Sequence, residues 1–193
     1  SRGLGDVYKR QEMYTTLSTL ALALIVGVAA AGCGSGDTDA SRQPVSIGSG
    51  GSAGRIAVVY DPGGSGYPRR TMTRLGEELV SRGYVVDLYT IGPGLALEPA
   101  SFNALVLGGP VYGAEVRPPL KEFVTGHAPF PVPVFALLTG FFPKGMYEKY
   151  DLPNLNSFLG QAGVNLNAAT KVGTLSSPRF ARRRIASLCD SID

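Results

Sequence analysis

Leu105-Val106-Leu107-Gly108-Gly109-Pro110-Val111-Tyr112-Gly113 runs directly into Ala114-Glu115-Val116-Arg117-Pro118-Pro119-Leu120-Lys121-Glu122-Phe123. A β-branched and leucine run that stops at Gly-Gly-Pro reads as a buried parallel strand, and the paired prolines with Leu/Phe spacing behind them read as the opening of a helix. Tyr112 therefore falls at the carboxyl end of a strand, the rim at which open α/β sheets bind ligands. The tyrosine and the small residues around it are candidates for the wall of a site for a flat aromatic ligand.

Working outward, Arg55-Ile56-Ala57-Val58-Val59-Tyr60 is a β-rich run that ends in Asp61-Pro62-Gly63-Gly64-Ser65-Gly66-Tyr67-Pro68. After this turn-rich loop Met72, Leu75, Leu79 and Val80 fall at helical spacing, so the unit is strand, glycine loop, helix. Free backbone N–H groups in such a loop, with the helix N-terminus behind them, favour a phosphate. Gly83 stops the helix and Tyr84–Tyr89 starts a second strand. Pro131–Leu138 supplies another buried strand, ending at Thr139-Gly140-Phe141, and Asn167–Leu175 holds the last. Strands alternating with helices predict a parallel sheet covered on both faces.

These segments together resemble the flavodoxin family over most of residues 55–193. The resemblance implies an α/β fold, a three-layer doubly wound sheet of five parallel strands in the order 2-1-3-4-5, and flavin mononucleotide (FMN) as cofactor. It implies that Gly63, Gly64, Ser65, Gly66 and Tyr67 hold the phosphate. Pro110, Val111, Tyr112 and Gly113 would form one loop beside the isoalloxazine ring and Thr139, Gly140 and Phe141 the other. The first loop departs from the family pattern: Pro68 stands where a threonine donates hydroxyl and N–H to phosphate, and proline has no N–H to give. Arg69, Arg70 and Thr71 follow one turn on and are the candidates to replace it. A receiver-type phosphoacceptor, which shares the strand order, is excluded because its acidic cluster is reduced to Asp61, and Gly63-Gly64-Ser65-Gly66 lacks the spacing of a nicotinamide fingerprint.

Before this domain the chain has a different character. Asp6-Val7-Tyr8-Lys9-Arg10-Gln11 is what the transposase adapter GATGTGTATAAGAGACAG encodes, so residues 1–11 are set aside as a sequencing artefact. Met13 to Gly36 carries no charge, and Leu17–Ala31 has the length of a signal-peptide apolar core. It ends Ala29-Ala30-Ala31-Gly32-Cys33, which resembles a bacterial lipobox with Ala30 where leucine is usual. Residues 12–32 thus read as a signal peptide and Cys33 as the lipidated first residue of a protein held at the extracytoplasmic face of a membrane. The alternative is a single N-terminal transmembrane anchor, for which the charge-free stretch is just long enough. Residues 33–54, rich in Gly, Ser and Asp, read as a flexible tether.

Composition narrows function further. Two cysteines and one histidine provide no zinc-type ligand set, and no nucleophile with a triad is identifiable. Cys189 falls with Ala181, Ile185 and Leu188 on the apolar side of a helix opening at Ser177-Pro178, as a buried small hydrophobe. A net charge of +3 differs from the strong acidity of soluble shuttle flavodoxins. The basic run at Arg179, Arg182, Arg183 and Arg184 has nothing beside it to suggest nucleic acid, and lipid headgroups are its secondary reading. The expected protein is a membrane-tethered FMN-binding domain that passes electrons to a quinone or other small acceptor, or docks to a membrane redox partner. The competing expectation is a flavodoxin fold without cofactor that serves as a binding module at the cell envelope.

Overall fold

The computed structural model describes residues 44–141 and 148–193. Strand β1 is Val45–Ile47, β2 Gly54–Tyr60, β3 Tyr84–Thr90, β4 Ala104–Tyr112, β5 Glu115–Val116, β6 Val134–Gly140 and β7 Leu166–Gly173. The helices are α1 (Tyr67–Ser81), α2 (Pro118–His127), α3 (Glu148–Gln161) and α4 (Pro178–Cys189), with a 3-10 turn at Pro99–Ser101. The sheet runs β1-β3-β2-β4-β6-β7, with β5 folded onto β4. The five parallel members, β3-β2-β4-β6-β7, are the expected 2-1-3-4-5 order.

Both faces of this sheet are covered, which is why its strands read as continuous apolar runs. Ile56, Val58, Val106, Phe135 and Leu137 pack under α1 and α4 with Met72, Leu75, Leu79 and Ile185. Ala57, Val59, Leu105, Leu107, Ala136 and Leu138 pack on the other side with Leu120, Phe123, Leu155 and Leu159. Gly108 is where α1 comes closest: a Cβ there would lie 2.5 Å from the Met72 methyl group. Helix α1 ends where Arg82 and Gly83 donate back to Leu79 and Val80, with Gly83 at φ +91, the left-handed stop that glycine allows. Ser177 caps α4 by accepting the Phe180 N–H at 3.3 Å. In β7, Phe135 pairs with Ala168 rather than Asn167, and the bulged asparagine accepts the Val134 N–H through Oδ1 at 3.2 Å.

Two features correct the sequence reading. The stretch assigned to a tether, residues 33–54, contains β1, which pairs antiparallel with β3 in the register Val45↔Leu88 and Ile47↔Val86. Its hold is partly polar: Ser46 Oγ donates to Asp87 Oδ1, and Arg55 reaches the other oxygen of the fully buried Asp87 at 2.7 Å. The domain therefore begins before residue 55. The other correction lies after Tyr112, where the loop is a tight hairpin: Gly113 (φ +58) and Ala114 (φ +69) turn the chain so that Tyr112 pairs with Glu115. Two successive positive φ values match the turn that suits the twist of a two-residue hairpin. Cys33 and the signal-peptide stretch lie outside the described residues.

Candidate functional site

In a parallel α/β sheet each strand's carboxyl end hands over to a helix, so loops and helix N-termini collect at one rim. Here they are the Asp61–Gly66 loop before α1, the β4–β5 hairpin before α2, Phe141 after β6, and Thr174–Ser177 before α4.

The first loop is shaped by Asp61. The residue is 3% exposed; Oδ1 accepts the Gly63 N–H at 2.9 Å and an Arg117 N–H at 3.1 Å, while Oδ2 has no hydrogen-bond partner. Gly63 is thereby pinned at φ +60, where a Cβ would lie 2.9 Å from the Pro110 ring. The N–H of Gly63, one of the expected phosphate donors, is occupied by the carboxylate. Gly64, Ser65 and Gly66 are exposed beyond it. Helix α1 begins at Gly66 with no side-chain cap and no acid in its first turn. The first four N–H positions of a helix have no intrahelical partner; here they fall on Gly66, Tyr67 and Arg69, because Pro68 lacks one. The Arg70 guanidinium folds back over the loop, with Nη1 3.0 Å from where a Gly66 Cβ would sit. Tyr67 serves the fold by its side chain: its hydroxyl donates to the Gly173 carbonyl at 2.8 Å, tying α1 to β7, and burial pushes its phenol pKa up.

The two ring loops differ from their sequence reading in which atoms reach the surface. Pro110, Val111 and Thr139 are buried, Thr139 with its hydroxyl unpartnered. Pro110 and Thr139 are register partners, so Tyr112 and Phe141 each stand two residues beyond a paired position on adjacent strands. They are 62% and 49% exposed. Gly140 O accepts from Thr174 N at 2.8 Å and Phe141 O from Leu175 N at 3.4 Å, so the loop after β6 is held by the one after β7.

One element of this rim was not singled out in the sequence. Lys171 of β7 and Asp151 of α3 form a buried ion pair, with side chains 6% and 1% exposed. Lys171 lies directly beneath Gly140, where a Cβ would come within 2.7 Å of Cε and 3.2 Å of Nζ. A lysine in a strand segment and an aspartate in the first turn of a helix carry no spacing signal; only the packing of α3 on β7 joins them. Among the described residues no cluster of His, Cys, Asp or Glu could hold a metal ion.

No protein-family model and no curated sequence matches this chain. Solved structures do. A flavodoxin of Streptococcus pneumoniae TIGR4 superposes with a TM-score of 0.55 at 12% identity, over 72% of this chain and 97% of that one. The fold is flavodoxin-like. An NADH:FMN oxidoreductase in its apo form gives 0.55 at 13% identity over 72% and 88% of the two chains. The rubredoxin oxygen:oxidoreductase of Desulfovibrio gigas gives 0.51 at 16% identity; the match covers 72% of the present chain but 35% of that enzyme. This flavodoxin-like chain thus spans about a third of that larger protein and nearly all of the flavodoxin.

Proposed function

We propose that this flavodoxin-like domain binds FMN and transfers electrons, held at a membrane through Cys33. The observation that carries the reading is the pairing, on one rim, of an uncapped helix N-terminus overhung by Arg70 with two exposed aromatics on neighbouring strands, Tyr112 and Phe141. The donor set suits a phosphate: the Gly66, Tyr67 and Arg69 N–H positions and a guanidinium converge on exposed glycines. Asp61, the one acid in the loop, is buried and engaged with Arg117 and Gly63, so its charge is partly compensated there.

Bound FMN would supply the redox chemistry. Residues Gly64–Gly66 and Arg70 would hold its phosphate, while Tyr112 and Phe141 would pack on the ring and exclude water from it. The cofactor-free binding module remains the second reading, favoured by two particular losses: Pro68 has no N–H, and that of Gly63 is taken by Asp61.

Titration of the intact chain with FMN, read by quenching of flavin fluorescence and with riboflavin as control, tests the choice. Saturable binding of FMN with much weaker binding of riboflavin supports the phosphate loop. Absence of FMN binding at micromolar concentrations refutes the flavin reading and leaves the binding module. Acylation of Cys33 is read separately, by the mass of the N-terminal peptide of protein isolated from membranes.

A further inference from the structure

We infer that the groove between the N-terminal halves of α1 and α4 is a docking surface for an acidic protein partner, gripped by Arg74, Arg179, Arg182 and Arg183, independently of flavin binding and of the tether at Cys33.

The two helices lie side by side, and their contacts fix which faces meet. At their C-terminal ends Arg82 donates to the Ala186 carbonyl at 3.2 Å and pairs with Asp190 at 2.7 Å and Asp193 at 2.6 Å. At the start of α1 the Tyr67 hydroxyl reaches Gly173 at the end of β7, the strand over which α4 packs. Tyr67, Arg74, Glu78 and Arg82 recur at intervals of seven and four residues, so Arg74 shares the face of α1 that looks toward α4. On α4, Arg182, Ala186 and Asp190 are likewise four apart, and Arg179 and Arg183 flank that row on its solvent side. Both helices begin at the same rim, so two turns before the Arg82 contacts Arg74 draws level with Arg179–Arg183.

Charge along this groove is unequal. Its C-terminal end is balanced, because Arg82 is held by Glu78 at 3.2 Å as well as by the two aspartates. In the N-terminal half Arg74, Arg179, Arg182 and Arg183 are all exposed, and none of them has an ion pair or hydrogen bond with another described residue. Within residues 67–77 and the whole of α4 the one acid is Glu77, exposed three residues beyond Arg74. Arg184 is engaged over the Phe180 ring at 5.4 Å and stands apart from this set.

The fold gains nothing from the arrangement. Arg179 repels Arg182 and Arg183 at i,i+3 and i,i+4 spacing, and it occupies the first turn of α4, which has no acid although the dipole favours one. Uncompensated guanidiniums are suited to carboxylates brought by a partner, which they grip through forked N–H pairs. Leu175, 60% exposed just before α4, adds the apolar contact that protein interfaces place amid polar residues. Neither helix exposes an aromatic side chain for stacking bases or seating in lipid headgroups.

The test uses the full chain and a fluorescein-labelled octaglutamate peptide, read by fluorescence anisotropy. Arg179→Glu/Arg183→Glu is compared with Lys121→Glu/Lys149→Glu, which changes the net charge equally on the helices of the opposite sheet face. Docking in the groove gives saturable binding that the arginine pair of substitutions weakens by about tenfold or more and the lysine pair by less than about twofold. Equal losses in the two variants, or no binding of the peptide at millimolar concentration, overturns the inference. Tighter binding of octathymidylate or of phosphatidylglycerol vesicles through the same arginines also overturns it, by giving the groove to nucleic acid or to lipid. Thermal melts separate docking from folding: Arg179→Glu places an acid at the start of α4 and leaves Tm unchanged or raised, whereas a lowered Tm assigns the arginine to the fold and removes it from the docking surface.

Discussion

Replacing Lys171 by methionine should cost far more stability than replacing both members of its ion pair. The pair is buried, with Asp151 1% and Lys171 6% exposed, and Asp151 Oδ1 has no hydrogen-bond partner even when the lysine is present. Lys171→Met therefore leaves a carboxylate without compensation on either oxygen, between α3 and β7. Breaking a buried pair from one side costs about 3–5 kcal/mol, whereas exchanging both partners for apolar groups of similar volume is often neutral or stabilising by about 1–4 kcal/mol. Against a total of about 5–15 kcal/mol the single loss is large. For a domain of this length it lowers Tm by about 2–4 °C per kcal/mol, or roughly 6–20 °C in all. Urea unfolding followed by circular dichroism should then rank the variants as wild type, Lys171→Met/Asp151→Leu close to it, and Lys171→Met well below. A single-variant loss under about 1 kcal/mol, or a double variant that merely sums the two single losses, would refute the reasoning, because the coupling would be absent.

Four further outcomes are expected. Arg70→Ala should weaken FMN binding by roughly 10–100-fold, the worth of a charge-assisted hydrogen bond of about 1.5–3 kcal/mol, and leave riboflavin binding unchanged; equal loss of both ligands in fluorescence titration would remove Arg70 from the phosphate site. Gly140→Ala drives a methyl group into Lys171 and should cost about 1–3 kcal/mol as overpacking, measured by the same urea unfolding. Tyr67→Phe leaves the Gly173 carbonyl without its donor and should cost about 1–3 kcal/mol, with no such loss counting against the α1–β7 tie. Burial pushes the Cys189 thiol up to about 12, whereas an unfolded thiol ionises near ~8.5. Between those values the unfolded chain has lost a proton that the folded chain keeps, so this contribution is full below the unfolded pKa and declines as pH rises, by up to about 1.4 kcal/mol per pH unit. Thermal melts between neutral and alkaline pH should show that slope in the wild type and a shallower one in Cys189→Ala.

The repeating unit of strand, loop and helix was legible in the residues alone. Ile56–Tyr60, Leu105–Leu107 and Val134–Leu138 are apolar without alternation because both faces of a parallel strand are buried, and that local pattern survives in one dimension. Helix stops and starts were equally local: Gly83 closes α1 through its own left-handed φ, and Ser177-Pro178 opens α4 through a cap three residues long. Alternation predicted a parallel sheet covered on both faces, and the five-strand order came with the resemblance to the flavodoxin family. Other features arise only when the chain is folded. Val45–Ile47 is too short and too polar in its surroundings to announce a strand; it becomes one because the β3 edge offers unpaired backbone groups and Asp87 offers a partner to Ser46. The availability of the Gly63 N–H depended on where the Asp61 carboxylate turned. Tyr67 reaches Gly173 across 106 residues of chain, and Lys171 meets Asp151 only because α3 packs on β7. Apart from the local Asp61–Gly63 turn, each of these joins residues far apart in the chain, and such contacts have no period for a sequence to display.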